Sequence, residues 1–360
     1  MPTSALSTAR HPMTVARLQD RVRPRRIEGI SAVLLPYRDS GTPDYDALAA
    51  GLGRTIRAGL EPAVNMDTGY VNLLTAAERA EVLRVTAASV AGTPFVAGTF
   101  LEDGGLPPGG TASVSRLVDA YCREADPIRA AGGTPILFQC AGLTRLPDRE
   151  LVAVYRGVAE RVGPILGFEL GQMFAPFGRI YSLQLFAELI EIPGLVGLKH
   201  SSLDRTLEWQ RLELRDEVRP DFKLYTGNDL AIDMVIYGSD YLLGLSAFAP
   251  EAFGLRDRLW ADGDPRFFAL NDILQYLGAF AFRAPVPAYK HSAAQFLHLR
   301  GRLPGNATHP RSPRRPDSDL PILAAIAERL DAAMAQAQTG ASPHPQPLPL
   351  ARERGAGGRS

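Results

Sequence analysis

Short apolar runs alternate with amphipathic segments along the middle of the chain. The apolar runs are rich in branched and aromatic side chains, which is typical of buried strands. Eight such strands are predicted: Ser31–Pro36, Pro62–Met66, Phe95–Phe100, Pro135–Cys140, Pro164–Leu170, Leu195–Lys199, Phe222–Thr226 and Tyr241–Leu245.

The segments between these runs have the apolar spacing of helices. Residues 75–78 read as a capping box, in which Thr75 and Glu78 satisfy each other's backbone N–H groups at a helix start. The predicted helices include Ala47–Ala58, Ala76–Val90, Ala112–Ala131, Arg149–Val162, Leu183–Ile190 and Leu230–Tyr237.

Strict alternation of strands and helices indicates a parallel sheet. Eight units in about 230 residues match the size of a (β/α)₈ TIM barrel, which is the predicted fold class. A doubly wound open sheet is the alternative, but it usually has fewer strands, and no GxGxxG follows the first strand here. A C-terminal helical appendage is predicted from the segments Phe267–Phe282, Pro287–Leu299 and Leu320–Met334.

The termini and one internal segment differ in composition from the rest. Residues 1–26 lack periodicity, and residues 339–360 are rich in Pro, Gly and Arg, so we predict a disordered leader and tail. The barrel is then assigned to 27–264 and the helical bundle to 265–338. Segment 301–319 is polar and Pro-rich, and we expect it to form an extended excursion over the surface.

Charge and composition exclude several classes of partner. The 39 basic and 39 acidic residues cancel, so no field favours nucleic acid or an anionic membrane. Two cysteines are too few for a disulfide framework, and they fit a cytoplasmic location. Six scattered histidines predict no metal cluster, and we expect neither a metal nor a cofactor.

Lys199 stands out because the chain otherwise avoids lysine. Only three of the 39 basic residues are lysines, and Lys199 ends the apolar run that begins at Leu195. A desolvated lysine amine can lose its proton and attack a carbonyl, whereas a guanidinium cannot. A lysine that caps a strand at the surface is the structural alternative.

Polar side chains follow several of the predicted strands. The carboxyl ends of barrel strands meet at one mouth, where the chemistry of such folds occurs. The candidate catalytic residues are therefore Lys199 and Glu169, and the candidate substrate-binding residues are Asp67, Thr68, Gly69, Gln139, Asn228 and Ser246.

Some of these residues also have structural interpretations. Asp67 and Asp229 are equally well suited to capping helices. His200 follows Lys199 and should face the other side of the strand. Lys223 is expected to point outward, and Lys290 is expected at the surface or at an interface.

Six collinear segments resemble the dihydrodipicolinate synthase / N-acetylneuraminate lyase superfamily of class I aldolases. The strongest is EIPGLVGLKHSSLD (191–204), similar to the superfamily's segment around its Schiff-base lysine. The others are AVLLPYRDSGTPDYDAL (32–48), DTGYVNLLTAAERAEVL (67–83), PFVAGTF (94–100), LYTGNDLAIDMVIYGSDYLLGLSAFAPE (224–251) and PVPAYKHSAAQFLHLRG (285–301).

The resemblance implies a barrel with a C-terminal helical bundle that assembles as a homo-oligomer, a dimer or a tetramer. It implies that Lys199 forms an imine with a 2-oxo acid such as pyruvate. Thr68 falls on the second threonine of the superfamily's threonine pair, which implies that it binds the substrate carboxylate.

The chain departs from the superfamily's pattern at three points. Asp67 replaces the first threonine and would repel a carboxylate unless it is protonated or turned away. Both relay tyrosines are absent, from LFQCAG (137–142) and from GFELGQMFAPFGR (167–179). Glu169 is our candidate for the missing acid–base group, on the expectation that its pKa is raised in the barrel mouth.

We therefore predict a Schiff-base-forming lyase or aldolase that acts on a 2-oxo acid or a related small carbonyl compound. Two alternatives stay open at this point. One is a sugar isomerase or epimerase that uses Glu169 and Asp67, with or without a divalent metal. The other is a ligand-binding relative without catalysis, since fold alone does not fix function.

Overall fold

Eight parallel strands close into a barrel in the order of the sequence, with the first hydrogen-bonded to the eighth. The computed structural model describes residues 15–102, 104 and 112–339. The strands are β1 Gly29–Ala32, β2 Glu61–Val64, β3 Val96–Thr99, β4 Thr134–Leu137, β5 Ile165–Leu170, β6 Leu195–Ser201, β7 Lys223–Thr226 and β8 Asp240–Leu243. The predicted (β/α)₈ barrel is confirmed.

Helices connect the strands on the outside of the barrel, and three more follow it. They are α1 Val15–Arg21, α2 Tyr45–Arg57, α3 Ala76–Val90, α4 Val114–Ala130, α5 Ala141–Thr144, α6 Asp148–Val162, α7 Leu183–Ile190, α8 Arg205–Val218, α9 Pro250–Ala261, α10 Arg266–Ala281, α11 Tyr289–Leu299 and α12 Leu320–Thr339. The predicted helix Leu230–Tyr237 is shorter, a 3₁₀ helix over Ile232–Tyr237.

The capping box before α3 forms as predicted. The backbone N–H of Glu78 donates to the Thr75 hydroxyl at 3.2 Å, and the backbone N–H of Thr75 donates to the Glu78 carboxylate at 2.8 Å. Two helix N–H groups that lack intrahelical partners are thereby satisfied, which fixes where the chain turns into α3 after the second strand.

The pairing of β5 with β6 decides which side chains reach the barrel interior. Phe168 pairs with Lys199, and Glu169 pairs with His200. Because side chains alternate across a strand, one pair faces inward and the other faces the surrounding helices. Phe168 belongs to the interior cluster of the barrel, so Lys199 points into the barrel mouth and Glu169 points away from it.

The segment after α11 packs against the protein. The guanidinium of Arg315 donates to the carbonyls of Ala281 at 2.9 Å and Ala284 at 3.1 Å. The ring of His309 lies 5.4 Å from that of Tyr37. The predicted surface excursion over 301–319 is therefore only partly right: many of its residues are exposed, but its arginine and histidine side chains supply contacts that a polar composition does not reveal.

Part of the predicted leader is also ordered. Helix α1 lies within it, and its Arg17 forms an ion pair with Glu213 at 2.6 Å. Arg25 donates to Asp240 at 2.8 Å, which ties the chain to the start of β8. Residues 1–14 and most of the predicted tail, 340–360, lie outside the described residues. In the described ranges, no helix has the length and apolar character needed to cross a membrane.

Candidate active site

A cavity of about 300 Å³ opens at the carboxyl ends of the strands. Its floor is formed by residues from the strand ends, and its walls by the loop after β5 and by the appendage. The lining residues are Met66, Asp67, Thr68, Val71, Asn72, Phe100, Phe138, Gln139, Phe168, Leu170, Met173, Phe174, Ala175, Pro176, Phe177, Lys199, Ser201, Gly227, Asp229, Gly244, Phe282, Val286, Pro287 and Tyr289.

Lys199 lies in this cavity with its ammonium nitrogen 4.6 Å from the centre of the Phe168 ring. Desolvation lowers the pKa of the Lys199 amine to about 8, although Asp229 and Asp67 oppose the shift. At pH 7 about a tenth of the amine is therefore neutral, against roughly one part in three thousand at the usual pKa. A neutral, half-buried amine is the form that adds to a carbonyl.

The absence of a side chain at Gly227 makes room for Lys199. A Cβ atom there would lie 2.7 Å from Lys199 Cε and 2.1 Å from the Ser201 hydroxyl oxygen. Both distances are shorter than a Cβ contact allows, so a side chain at position 227 would have to displace Lys199 and Ser201 from their positions in the site.

Asp229 is the acidic group whose ionisation is best matched to neutral pH in this cavity. Desolvation raises the pKa of Asp229 to about 7, although the backbone N–H of Leu245 donates to it at 2.7 Å and Lys199 opposes the shift. A carboxyl group with a pKa near the working pH can both give and accept a proton. In the sequence analysis a helix cap was one of two interpretations of Asp229, which was not included among the candidate site residues, so this property was missed.

Asp67 is held by two residues of α11. The Lys290 ammonium donates to both of its carboxylate oxygens, at 3.0 and 3.1 Å, and the Tyr289 hydroxyl donates at 2.9 Å. Burial alone would raise the pKa of Asp67, but Lys290 and these hydrogen bonds hold it below the usual value. Lys290 is only 3% exposed, so of its two expected positions the surface is wrong, and it lies where the appendage meets the barrel.

Thr68 is buried beside this pair and shares a hydrogen bond of 2.9 Å with Tyr289. Because Tyr289 gives its proton to Asp67, Thr68 must donate to Tyr289 in this arrangement. Thr68 therefore presents lone pairs to the cavity, and it must rotate before it can donate to a carboxylate. Tyr289 brings a hydroxyl group to this part of the cavity from a helix more than two hundred residues away in sequence.

Gln139 lines the cavity, but its amide is already used. Its Nε2 donates to the Arg179 carbonyl at 2.7 Å, and its Oε1 accepts from the Arg179 backbone N–H at 2.9 Å. This pair of hydrogen bonds holds the end of the loop after β5 against β4. Gln139 therefore acts on the shape of the cavity more than on a ligand.

Three predicted binding residues do not line the cavity. The Gly69 backbone N–H donates to the Met66 carbonyl at 3.0 Å inside a tight turn. The Asn228 side chain accepts from the Leu230 backbone N–H at 3.0 Å. The Ser246 hydroxyl lies 2.9 Å from the Ser31 hydroxyl and donates to a backbone carbonyl at 2.8 Å. Each shapes the turns at the mouth, so we correct their predicted direct contact with substrate.

The prediction for Glu169 is wrong. Its carboxylate is fully buried behind the barrel wall, where it accepts from the Tyr181 backbone N–H at 2.7 Å and from Arg211 at 3.0 Å, and lies 2.7 Å from His200 Nδ1. Burial would raise the pKa of Glu169, but Arg211 and His200 lower it to about 2. It is a structural group that is ionised at neutral pH, and the register of β5 against β6, which pairs it with His200, places it on the outer face.

Comparison with known proteins identifies the family of the chain. The family described as "Protein of unknown function (DUF993)" matches residues 38–309. The chain is 30% identical to "Probable 5-dehydro-4-deoxyglucarate dehydratase 2" of Streptomyces avermitilis, over 82% of this chain and 85% of that protein. It is 25% identical to 4-hydroxy-tetrahydrodipicolinate synthase of Kosmotoga olearia, over 61% of this chain and 70% of that protein.

Solved structures share the fold at lower identity. The crystal structure of YagE, a prophage protein of the dihydrodipicolinic acid synthase family from E. coli K12 in complex with pyruvate, is 17% identical. It superposes with a TM-score of 0.69 over 85% of this chain and 98% of that one.

A barrel with a lysine at the mouth and a helical bundle over it defines the class of protein, an aldolase-type lyase. The chain belongs to the DUF993 family and, with it, to the dihydrodipicolinate synthase / N-acetylneuraminate lyase superfamily. The predicted membership and the predicted enzyme class, a lyase or aldolase that acts on carbon–carbon or carbon–oxygen bonds, are confirmed.

Proposed function

We propose that the protein works through a Schiff base between Lys199 and the carbonyl of a 2-oxo acid or a related small carbonyl compound. The observation that carries the proposal is the half-buried amine of Lys199, with a pKa lowered to about 8, in a cavity at the carboxyl ends of the strands. The superfamily relationship supports it, since one structural relative is described in complex with pyruvate.

The reaction we infer begins when the neutral amine adds to the carbonyl carbon and water leaves. The resulting iminium ion accepts the electron pair of a neighbouring carbon–carbon bond, so that bond breaks and an aldehyde departs. The proton on the departing hydroxyl goes to a base, and the enamine takes a proton back at carbon. Water then hydrolyses the imine, which frees Lys199 and the second product, so no oxidant or reductant is needed.

We assign the proton transfers to Asp229 instead of Glu169. Asp229 lines the cavity with Lys199, and its pKa of about 7 lets it exchange a proton at neutral pH. The same acid–base group would serve a dehydration, in which a hydroxyl group leaves as water. The name of the Streptomyces relative supports that variant of the reaction.

Thr68, Asp67 and Gln139 remain our candidates for shaping the binding site. A substrate carboxylate near Thr68 would accept hydrogen bonds from Thr68 after rotation of its hydroxyl. Asp67 stands where the superfamily's pattern has a threonine, and the ion pair with Lys290 balances its negative charge. This answers the expected repulsion: the aspartate is ionised, but its charge is balanced.

The isomerase alternative loses its acid–base pair. It needs Asp67 and Glu169 on one substrate, but Asp67 lines the cavity and Glu169 is fully buried on the other side of the barrel wall. Within the described ranges, no group of three or more His, Cys, Asp or Glu could hold a metal ion.

Reductive trapping tests the proposal. The full-length protein is incubated with pyruvate and with other 2-oxo acids, reduced with borohydride and digested, and the mass of each lysine-containing peptide is measured. We expect an adduct on Lys199 that disappears in Lys199→Ala. Lys223→Ala is the matched control, because Lys223 is on the neighbouring strand but is half-exposed and paired with Glu28 at 2.6 Å. A ligand that stabilises the protein without any adduct or turnover would support the non-catalytic alternative.

The assembly and location of the protein remain predictions. We propose a homo-oligomer, a dimer or a tetramer, in a reducing cytoplasm, where the buried thiols of Cys122 and Cys140 persist. Light scattering of the purified protein at several concentrations gives the number of subunits.

A further inference from the structure

The walls of the active-site cavity are unusually rich in phenylalanine. Six of the chain's 15 phenylalanines line it, together with Met66 and Met173. The six are Phe100, Phe138, Phe168, Phe174, Phe177 and Phe282. The rings of Phe138 and Phe168 meet edge to face at 5.1 Å directly beside Lys199, so aromatic surface begins at the reacting amine.

Three of these apolar side chains are exposed at the rim of the cavity in the part of the chain that the structure describes. Met173, Phe174 and Phe177 belong to the loop after β5 and are 55%, 37% and 38% exposed. Large apolar side chains that cluster at the rim of a cavity are typical of a binding site for an apolar group.

Several polar groups of the cavity are already hydrogen-bonded within the protein, and Asn72, Ser201 and Asp229 are the other polar side chains that line it. Thr68 and Tyr289 bond to each other, Gln139 is held by Arg179, and Asp67 is held by Lys290. Lys199 is the only cationic side chain among the described lining residues. A substrate with several hydroxyl groups or a second carboxylate would leave polar groups unpaired among aromatic rings, which is unfavourable.

We propose that the part of the substrate beyond the reacting carbonyl is an apolar group of about the size of an aromatic ring, and that Phe174 and Phe177 cover it. The inference rests on the proposed function, because it takes Lys199 as the position of the carbonyl. The cavity volume of about 300 Å³ accommodates a small carbonyl compound that carries one ring.

The first test compares carbonyl compounds in the borohydride assay on the full-length protein. Pyruvate has no distal group, phenylpyruvate has an aromatic one, and 2-oxo-3-deoxygluconate has a hydroxylated one. Burial of one ring should lower the half-saturating concentration of phenylpyruvate about ten- to a hundredfold relative to pyruvate. The hydroxylated acid should show no such gain.

The second test changes the rim. Phe174→Ser and Phe177→Ser should each weaken trapping by phenylpyruvate several-fold more than trapping by pyruvate, and an equal loss for both acids would overturn the inference. Phe268→Ser is the matched control, since Phe268 is 46% exposed on α10 and does not line the cavity. Light scattering on these variants tests whether a second copy of the chain covers the rim. A changed number of subunits together with unchanged trapping would overturn the inference.

A third measurement separates this inference from the proposed function. Phenylacetate has no ketone and cannot form an imine, so its binding, followed by calorimetry, reports the apolar site alone. Adducts on Lys199 without a preference for phenylpyruvate would overturn the inference and leave the Schiff base intact. Absence of any adduct, with phenylacetate binding that is lost in Phe174→Ser, would overturn the Schiff base and support the apolar site. If neither an adduct nor phenylacetate binding is observed, both the Schiff base and the apolar site are overturned.

Discussion

Replacing Asp229 by asparagine should separate formation of the Schiff base from the proton transfers that follow it. Asparagine preserves the shape of the side chain and can still accept the hydrogen bond from the Leu245 backbone N–H. It removes both the negative charge beside Lys199 and the group that titrates near pH 7. The two losses have opposite effects on the two stages of the reaction.

The first effect follows from the charges around Lys199. Asp229 raises the pKa of the Lys199 amine, so its removal lets desolvation lower that pKa below about 8. The neutral fraction at pH 7, about a tenth in the native protein, should therefore rise. The second effect is a loss of turnover, because a positioned acid–base group contributes about a hundred- to ten-thousandfold.

Two assays measure these effects on the same protein. Timed incubations with pyruvate from about pH 6 to about pH 10, each quenched with borohydride, give the rate of adduct formation on Lys199 and its midpoint with pH. Release of product from a turning-over substrate gives the second rate. In the native protein we expect turnover to rise through pH 7 as Asp229 ionises, and this inflection should vanish in Asp229→Asn.

Asp221→Asn is the control, because Asp221 lies just before β7 and its side chain is 78% exposed. It should change neither rate. A midpoint for the native protein near the ordinary lysine pKa, or an equal loss of adduct formation and turnover in Asp229→Asn, would refute the reasoning.

Three further predictions concern the surroundings of the site. Gly227→Ala should abolish adduct formation in a folded protein, because its Cβ would clash with Lys199. Gly51→Ala is the control, since its Cβ would meet its nearest atom at 3.7 Å. Normal trapping in Gly227→Ala would contradict the packing around Lys199. Lys290→Met should raise the KM for an anionic 2-oxo acid about tenfold with less effect on kcat, because the charge of Asp67 is no longer balanced. Adding Asp67→Asn to the same chain should restore the original KM. An unchanged KM in Lys290→Met would count against the neutralising role of the pair. Arg211→Met should lower the free energy of unfolding by about 3–5 kcal/mol, because Glu169 remains buried without its partner, and Glu169→Met should recover much of it. The Glu169 pKa of about 2 lies below its unfolded value, so its stabilising effect is lost as pH falls from about 4.5 towards 2. Without Arg211 the folded-state pKa of Glu169 rises towards or above the unfolded value, so this loss should shrink or disappear in the acid unfolding of Arg211→Met.

The sequence predicted the elements that depend on local pattern. The run Leu195–Leu198 is buried and ends in Lys199, and parallel strands in a barrel deliver their carboxyl ends to one mouth. The position of Lys199 therefore followed from periodicity and topology, without any knowledge of packing.

The residues that the sequence analysis missed or misplaced depend on side-chain directions and on long-range packing, which the number and order of the strands do not determine. Glu169 was assigned to the mouth, but the face it takes depends on the register of β5 against β6, which pairs it with His200 and not with Lys199. Asp229 and Asn228 are neighbours after β7, and only the geometry of the turn decides which one reaches the cavity. Tyr289 and Lys290 are in the appendage, and only long-range packing of α11 brings them to Asp67.

The delivery of Tyr289 and Lys290 by α11 means that the boundary between barrel and appendage does not divide the enzyme's chemistry. A protein truncated after β8 would lack the cavity wall that Tyr289 helps to form, and it would lack Lys290, which balances the charge of Asp67. An exchange of appendages between relatives should therefore preserve the site only if the residue at position 67 of the barrel is exchanged together with the residue at position 290.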